Sequence, residues 1–222
     1  MTNQHQHSNQ PSTPNSTPTP TPAPTRLIVF GATGRVGRAV VAGARARGVE
    51  VTAVGRADGE VTSAADVARL AAGHDAAVVS VYDAQAAPGE FFPAVARAMA
   101  AGLAQAGVRR LVSVGLASVL PTADGTPLMD TPGYPQEWRE FSVGHAAGTE
   151  ALRAAAPETL AWAVLSPAGD FDHDGTQRGG YAYAPAEADS RITPADFAAA
   201  VVDEATAPTL RAVHVGVAQA AA

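Results

Sequence analysis

The sequence predicts an α/β protein with a Rossmann-like, doubly wound and mainly parallel sheet that carries helices on both faces. Three observations lead to this fold class. From residue 26 onward, short runs of branched apolar residues alternate with longer alanine-rich segments. The first apolar run leads directly into a glycine-rich turn, and a second apolar run returns within about 30 residues, which is the length of a βαβ unit.

The predicted strands and helices follow in order from these local patterns. The first strand is Leu27-Ile28-Val29-Phe30, the first helix runs from about Val36 to Arg47 and ends near Gly48, and the second strand covers residues 49–54. The remaining predictions are helices over 65–72, 91–106, 138–155 and 194–205 and strands over 76–81, 111–114 and 160–165. Thr193 and Pro194 are typical of an N-cap and a first helical residue for the last helix.

Composition limits the chemistry and the partners. The chain has 222 residues, which favours one domain, and its net charge of -6 argues against a nucleic-acid partner. The sequence contains no lysine, so a Schiff base or a Tyr-x-x-x-Lys pair is excluded. It also contains no cysteine, which excludes disulfides, thiol nucleophiles and thiolate metal sites. The sequence leaves open whether the protein is a monomer or a dimer.

Residues 1–25 differ in composition from the rest of the chain. This segment is rich in Pro, Thr, Gln and Asn and has almost no aliphatic side chain, so we expect a disordered tail before a single domain over residues 26–222. It lacks the basic and apolar regions of a secretory signal, and no apolar run is long enough to span a bilayer. The sequence therefore predicts a cytoplasmic protein with no membrane partner.

The glycine turn predicts a dinucleotide site. Gly31 permits a tight turn, Gly34 lets the backbone approach a pyrophosphate, and Gly37 lets the helix pack closely on the strand. The pattern follows a strand and opens a helix, which is the context that gives it meaning. The residues predicted to bind the cofactor here are Gly31, Ala32, Thr33, Gly34, Arg35, Val36 and Gly37.

The end of the second strand predicts which nicotinamide cofactor is used. This strand ends in Val54-Gly55-Arg56, and an arginine there favours the 2′-phosphate of NADP(H) over NAD(H). Arg35 can approach the same phosphate from the glycine turn. Two alternatives stay open: both arginines are solvated surface residues, or Asp58 binds a ribose hydroxyl if the loop curls back.

Several segments resemble a known family. The glycine turn and Gly107-Val108-Arg109-Arg110-Leu111-Val112-Ser113-Val114-Gly115 resemble the atypical short-chain dehydrogenase/reductases of the NmrA-like, NAD(P)H-binding type. The segments over 128–135, 162–168 and 190–198 are similar to the YwnB-like subgroup of NADH-flavin reductases. The resemblance implies a Rossmann-like domain that binds NAD(P)H and passes hydride to a flavin or another small acceptor. A non-catalytic, NADP(H)-binding redox sensor of NmrA-like type is the alternative.

The sequence departs from this family in two places. Typical relatives carry a serine after the fourth strand and a tyrosine and a lysine one helical turn apart, whereas this chain has Gly115 or Leu116 and the segment Phe141-Ser142-Val143-Gly144-His145. The region between Arg56 and Asp66 is also shortened, so a strand of the usual sheet is reduced and the adenine side is expected to be less enclosed.

The chemistry that remains is direct hydride transfer, which needs little beyond two stacked rings. Residues at strand ends are expected to line such a site, with Tyr82 either covering the nicotinamide or serving as packing. The strand-end residues predicted to bind the cofactor are Ser80, Val81, Tyr82, Gly115, Ser166 and Pro167. A flavin is a possible substrate.

Two longer loops, at about 117–138 and 168–192, are expected to form a lid over the acceptor. The residues predicted to contact substrate or to belong to the lid are Ser118, Tyr134, Trp138, Arg178 and Arg191. Arg191 can pair with Asp196 or hold an anionic acceptor, and the ion pair is the favoured reading.

Two histidines complete the candidates. His145 is the predicted catalytic residue, as a proton donor to the reduced acceptor, with a structural role as the alternative. His173 lies in Asp170-Phe171-Asp172-His173-Asp174, but neighbouring residues on one loop rarely face a single ion, so no metal site is expected.

Overall fold

The computed structural model describes residues 26–221, and the predicted tail over residues 1–25 lies outside the described residues. The strands are β1 (Arg26–Phe30), β2 (Glu50–Val54), β3 (Ala76–Val79), β4 (Arg110–Val114), β5 (Ala161–Pro167), β6 (Asp170–Phe171), β7 (Tyr181–Ala184), β8 (Arg191–Ile192) and β9 (Val213–Gln219). The helices are α1 (Arg35–Ala46), α2 (Ala64–Ala71), α3 (Pro88–Gln105), α4 (Arg139–Ala155) and α5 (Pro194–Thr206).

The central sheet has seven strands in the order β2-β1-β3-β4-β5-β9-β7. All neighbours pair in parallel except β7, which runs antiparallel to β9. This arrangement confirms the predicted Rossmann-like α/β fold. It also brings the carboxyl ends of β1, β3, β4 and β5 to one edge of the sheet, where ligands bind in doubly wound folds.

Two apolar cores lie on opposite faces of the sheet. Leu27 and Val29 of β1 belong to the core that includes α1 and α5, whereas Ile28 and Phe30 belong to the core that includes α2, α3 and α4. This alternation follows from the two-residue period of a strand, and both faces are apolar because helices cover both. The prediction of helices on both faces is confirmed.

The structure corrects the predicted order at its carboxyl-terminal end. The last element predicted from the sequence was α5. In the structure β9 follows α5 along the chain and lies between β5 and β7 in the sheet. β9 contains the alternation typical of a strand, with Val213, Val215 and Val217 on one face and His214 and Gly216 on the other. The glycine weakens this two-residue pattern. β7 consists of tyrosines and alanines and carries little strand signal of its own.

The predicted shortening after Arg56 is visible in the sheet. Among the described residues no strand lies between β2 and α2, and β2 therefore forms one edge of the sheet. None of the helices in this part of the chain combines the length and hydropathy needed to cross a membrane.

Candidate functional site

The glycine turn joins β1 to α1 and is defined by backbone contacts. Gly31 has a φ of +79°, a conformation that favours glycine, and a Cβ there would overlap the carbonyl of Ser80. A Cβ on Gly37 would overlap the carbonyl of Gly31. The N–H groups of Gly31 and Ala32 both donate to the carbonyl oxygen of Val54, each at 3.0 Å, so the turn is tied to the end of β2.

The first turn of α1 is open at its amino terminus. Gly34 is the N-cap, and within the described residues no side chain caps this helix. A Cβ on Gly34 would meet only the carbonyl oxygen of Gly31, at 3.3 Å, so the outer side of the turn faces open space. Free N–H groups and the helix dipole favour an anion at such a position. The turn therefore fits a dinucleotide pyrophosphate.

The short loop after β2 is ordered by α2. One carboxylate oxygen of Asp66 accepts the N–H of Glu60 at 2.9 Å, and Arg69 donates to the carbonyl oxygen of Asp58 at 3.1 Å. The bond from Glu60, followed by that from Arg69, lowers the pKa of Asp66. These bonds fix the conformation of the loop, although it is shorter than the corresponding loop of the family it resembles.

This loop, the glycine turn and the segment after β3 enclose one cleft of about 380 Å³. Its lining residues are Gly31, Thr33, Gly34, Gly55, Arg56, Gly59, Glu60, Val61, Ser80, Val81, Tyr82, Asp83 and Phe91. Seven of the residues predicted to bind the cofactor lie here, namely Gly31, Thr33, Gly34, Arg56, Ser80, Val81 and Tyr82. The cleft extends from the open end of α1 to the aromatic side chains at the start of α3.

The loop at the end of β2 carries both an arginine, Arg56, and an aspartate, Asp58, that are candidates for binding the cofactor. Arg56 is exposed and donates through Nη2 to the carbonyl oxygen of Tyr82 at 2.8 Å. Asp58 curls back, and its carboxylate accepts the N–H of Gly55 at 2.7 Å. Arg35 is exposed beside the glycine turn. The loop therefore adopts the curled form that a ribose-binding Asp58 requires, while both arginines remain accessible to a phosphate.

Aromatic side chains close the other end of the cleft. Tyr82, which is 57% exposed, packs edge-on against Phe141 at 5.4 Å between ring centroids. Phe141 in turn contacts Phe92 and His145 at 5.5 Å and 4.8 Å. Phe141 and His145 have the four-residue spacing of the tyrosine and lysine of typical relatives, but neither side chain can perform the chemistry of that pair.

His145 is packed rather than solvated. Its ring stacks on Phe92 with 3.8 Å between centroids, and it borders a small cavity of about 50 Å³ with Ser113 and Thr149. Burial, with a smaller contribution from His214, lowers the pKa of His145 to about 4. The ring is therefore uncharged near neutral pH, which makes it a weak proton donor. The proton-donor role stays a prediction, and this environment favours the structural alternative.

Sequence reasoning missed His214, which belongs to the same region. Its Nε2 lies 2.7 Å from the hydroxyl oxygen of Ser166, a fully buried residue near the end of β5. A Cβ on Gly115 would come within 2.6 Å of that hydroxyl and 3.0 Å of the imidazole. Burial, followed by the charge of Arg153, lowers the pKa of His214 to about 4. The signal in the sequence that could have placed His214 on a strand is the alternation of apolar residues within β9.

The two predicted lid segments pack against each other. The N–H of Ala186 donates to the carbonyl oxygen of Pro121 at 2.8 Å, and Tyr134 packs on a small apolar cluster that contains Ala186. The hydroxyl of Tyr134 is hydrogen-bonded to Ser118, which donates to Ser142 of α4 at 2.8 Å. Trp138, just before α4, is 64% exposed.

The contact expected between Arg191 and Asp196 is wrong. Arg191 donates to the carbonyl oxygens of Ala188 and Ser190, both at 2.8 Å. Asp196 is buried near the start of α5 and accepts the backbone N–H groups of Arg178 and Gly179 at 3.0 Å and 2.9 Å. The Asp196 carboxylate therefore anchors the second lid segment by binding the backbone of that segment. The side chain of Arg178 instead lies 3.5 Å from the carboxylate of Asp172.

Comparisons with known proteins agree with this geometry. The chain is 33% identical over 197 residues to YwnB of Bacillus subtilis (strain 168), an uncharacterized protein, covering 81% of this chain and 92% of that one. A structure from Streptococcus pneumoniae named as "a putative NADH-flavin reductase" has 26% identity and a TM-score of 0.71 over 88% of this chain and 100% of its own. A "putative epimerase" from Bacteroides thetaiotaomicron has 25% identity and a TM-score of 0.78, covering 90% and 99%.

These relatives confirm the resemblance to YwnB-like proteins. The family model that matches this chain describes NAD(P)H-binding proteins and spans residues 56–208, more than half of the sequence. The open amino terminus of α1 and the cleft beside it fit such a cofactor. The chain belongs to the NAD(P)H-binding family.

Proposed function

We propose that this protein is an NADP(H)-dependent oxidoreductase that passes hydride to a flavin, a quinone or a similar small acceptor. The observation that carries the proposal is one cleft whose lining includes both the glycine turn and the aromatic residues Tyr82 and Phe91. Its lining thus combines a pyrophosphate position at Gly34 with aromatic side chains on which a planar acceptor can stack.

The residues of this chain have separate tasks in the proposal. The first-turn N–H groups of α1 bind the pyrophosphate, and Arg56 with Arg35 binds the 2′-phosphate. Tyr82 and Phe141 exclude water from the ring-stacking end. The dinucleotide supplies the hydride when it is bound. Because His145 is uncharged, solvent at the open mouth supplies the balancing proton to the acceptor.

The cofactor assignment is tested by a titration that follows nicotinamide fluorescence with NADPH and NADH. In Gly34→Asp the new carboxylate stands in open space at the pyrophosphate position, so the fold is kept and binding of both nucleotides is lost. Gly89→Asp is the matched control, because a Cβ there meets nothing within 4 Å and the residue lies in the first turn of α3.

The NADP(H) preference is tested by the same titration in two further variants. Arg56→Ala weakens NADPH more than NADH, since only NADPH carries the 2′-phosphate. A larger loss for NADH in Asp58→Asn than for NADPH in Arg56→Ala would instead assign the site to NAD(H) through Asp58.

A non-catalytic redox sensor is the second candidate function. It is favoured by the neutral, packed state of His145, the predicted proton donor, and by the bond of Ser118 to Ser142. A steady-state assay of NADPH oxidation with free flavins and quinones separates the two functions. Turnover supports the reductase, whereas tight binding without turnover supports the sensor.

A further inference from the structure

Arg56 spans the mouth of the cleft. It follows β2, yet its Nη2 donates to the carbonyl oxygen of Tyr82 beyond β3 at 2.8 Å. The same nitrogen lies 3.8 Å from the carboxylate oxygen Oδ1 of Asp83. The Arg56 side chain is 76% exposed and that of Asp83 is 35% exposed, so the pair lies at the surface of the cleft and is open to exchange with a ligand.

Asp83 is a fixed anion rather than a mobile one. The oxygen that faces Arg56 also accepts the backbone N–H of Gln85 at 3.0 Å. This bond holds the carboxylate in its turn, and its position therefore does not depend on Arg56. A ligand phosphate that binds Arg56 must replace or share the contact with Asp83.

We propose that Asp83 is a specificity-determining residue that competes with the cofactor 2′-phosphate for Arg56. The inference rests on the proposed use of Arg56 for NADP(H). A carboxylate and a phosphate both attract the guanidinium, and the carboxylate of Asp83 forms an ion pair at 3.8 Å with the group that the 2′-phosphate needs. NADH carries no 2′-phosphate and does not require this exchange. Asp83 thus lowers the preference for NADP(H) over NAD(H) without contacting the part of the cofactor the two share.

Glu60 provides the comparison that isolates this contact. It lines the same cleft and carries the same charge, but its carboxylate accepts the N–H and hydroxyl of Thr62 at 3.3 Å and 3.0 Å. Replacing Glu60 changes the field in the cleft and leaves the contact of Arg56 with Asp83 in place. The two substitutions therefore separate a direct competitor from a general effect of negative charge.

The experiment titrates wild type, Asp83→Asn and Glu60→Gln with NADPH and NADH, and with adenosine 2′,5′-bisphosphate and AMP as fragments. We expect Asp83→Asn to bind NADPH and the bisphosphate about two- to fivefold more tightly, the range for removal of one exposed ion pair, with NADH and AMP unchanged. Glu60→Gln shifts NADPH by a smaller factor. In an Arg56→Ala background the effect of Asp83→Asn disappears.

Three results would overturn the inference: an equal gain for NADPH and NADH, an equal gain from Glu60→Gln, or a gain that persists in Arg56→Ala. Weaker binding of both cofactors in Asp83→Asn would also overturn it, by making Asp83 a ligand for the shared part of the cofactor. Wild type that binds neither nucleotide overturns the proposed function as well, whereas NADPH binding that Asp83→Asn leaves unaltered overturns only the inference.

Discussion

The two ends of the cleft are built in different ways. The glycine-turn end comes from seven consecutive residues, Gly31 to Gly37, and its contacts are those of the backbone. The aromatic end collects Tyr82 after β3, Phe92 of α3 and Phe141 of α4, which lie far apart in the sequence. A backbone site can be recognised in a short stretch of sequence, whereas a side-chain site exists only after the strands have paired.

The two ends also differ in their electrostatics. The glycine-turn end has exposed arginines at Arg35 and Arg56. Behind the aromatic end, His145, which contacts Phe141, and His214, which contacts Ser166, are largely desolvated, and burial lowers the pKa of both to about 4. One end is suited to a charged, hydrated ligand and the other to a neutral ring, and four predictions test this division.

The largest effect is expected at the backbone-built end. In Gly31→Ala the new methyl group overlaps the Ser80 carbonyl and the residue keeps a φ of +79°, so the free energy of unfolding falls by about 4 kcal/mol or the chain fails to fold. Gly48→Ala is the control, because Gly48 has a φ of +77° with nothing within 4 Å, and it costs only about 1 kcal/mol. Urea unfolding measures both, and equal losses would remove the overlap as the cause.

The next effect is a pH dependence of stability from the aromatic end. In the folded protein the pKa values of His145 and His214 are about 4, below the ordinary value of 6.5. As the pH falls from 6.5 towards 4, the unfolded chain therefore binds protons at these histidines while the folded chain does not. This difference hardly affects the free energy of unfolding above about pH 7, and each histidine lowers that free energy by about 2 kcal/mol between pH 7 and 5.

Urea midpoints at pH 7 and 5 measure this dependence. His145→Phe and His214→Gln should each flatten it, whereas His173→Gln, at an exposed position, serves as the control. A pH dependence that is the same in all four proteins would show that the two buried histidines do not cause it.

A smaller effect is expected on turnover when the side-chain site is disturbed. Gly115→Ala places a methyl group 2.6 Å from the Ser166 hydroxyl and so breaks its 2.7 Å contact with His214. Turnover of NADPH falls roughly tenfold because Gly115 borders the same small cavity as His145, which packs on Phe141 of the aromatic end, while affinity for adenosine 2′,5′-bisphosphate is kept. Gly89→Ala is the control. Loss of fragment affinity in Gly115→Ala would mean that the two ends are not separable.

The smallest effect concerns the lid. Tyr134→Phe removes the hydroxyl that bonds Ser118 but keeps the ring on its apolar cluster, so the free energy of unfolding falls by about 1 kcal/mol. Thermal unfolding measures the change. On the prediction that this segment forms a lid over the acceptor, the KM for the acceptor should rise while the affinity for NADPH is unaltered; the reverse pattern would place Tyr134 at the cofactor.

The sequence predicted the βαβ unit, the glycine turn and the layers of helices because each depends on a local period or a short motif. It did not predict β9, because Gly216 interrupts a short strand whose place in the sheet is set by pairing with β5. The contact of His214 with Ser166 was therefore beyond reach. The expected pair of Arg191 with Asp196 was wrong because nearness in sequence says nothing about buried backbone N–H groups, and those of Arg178 and Gly179 are what Asp196 satisfies.

The shortened loop after β2 has a consequence for aggregation. With β2 at the sheet edge of the described chain, its outward backbone groups offer a template to a strand of another molecule. The edge is only five residues long, begins with Glu50 and has Thr52 bonded to the ring of His74 at 2.7 Å. A short edge strand that begins with a charged residue discourages such strand addition, so the same shortening that leaves β2 at the edge also leaves little backbone for another molecule to pair with.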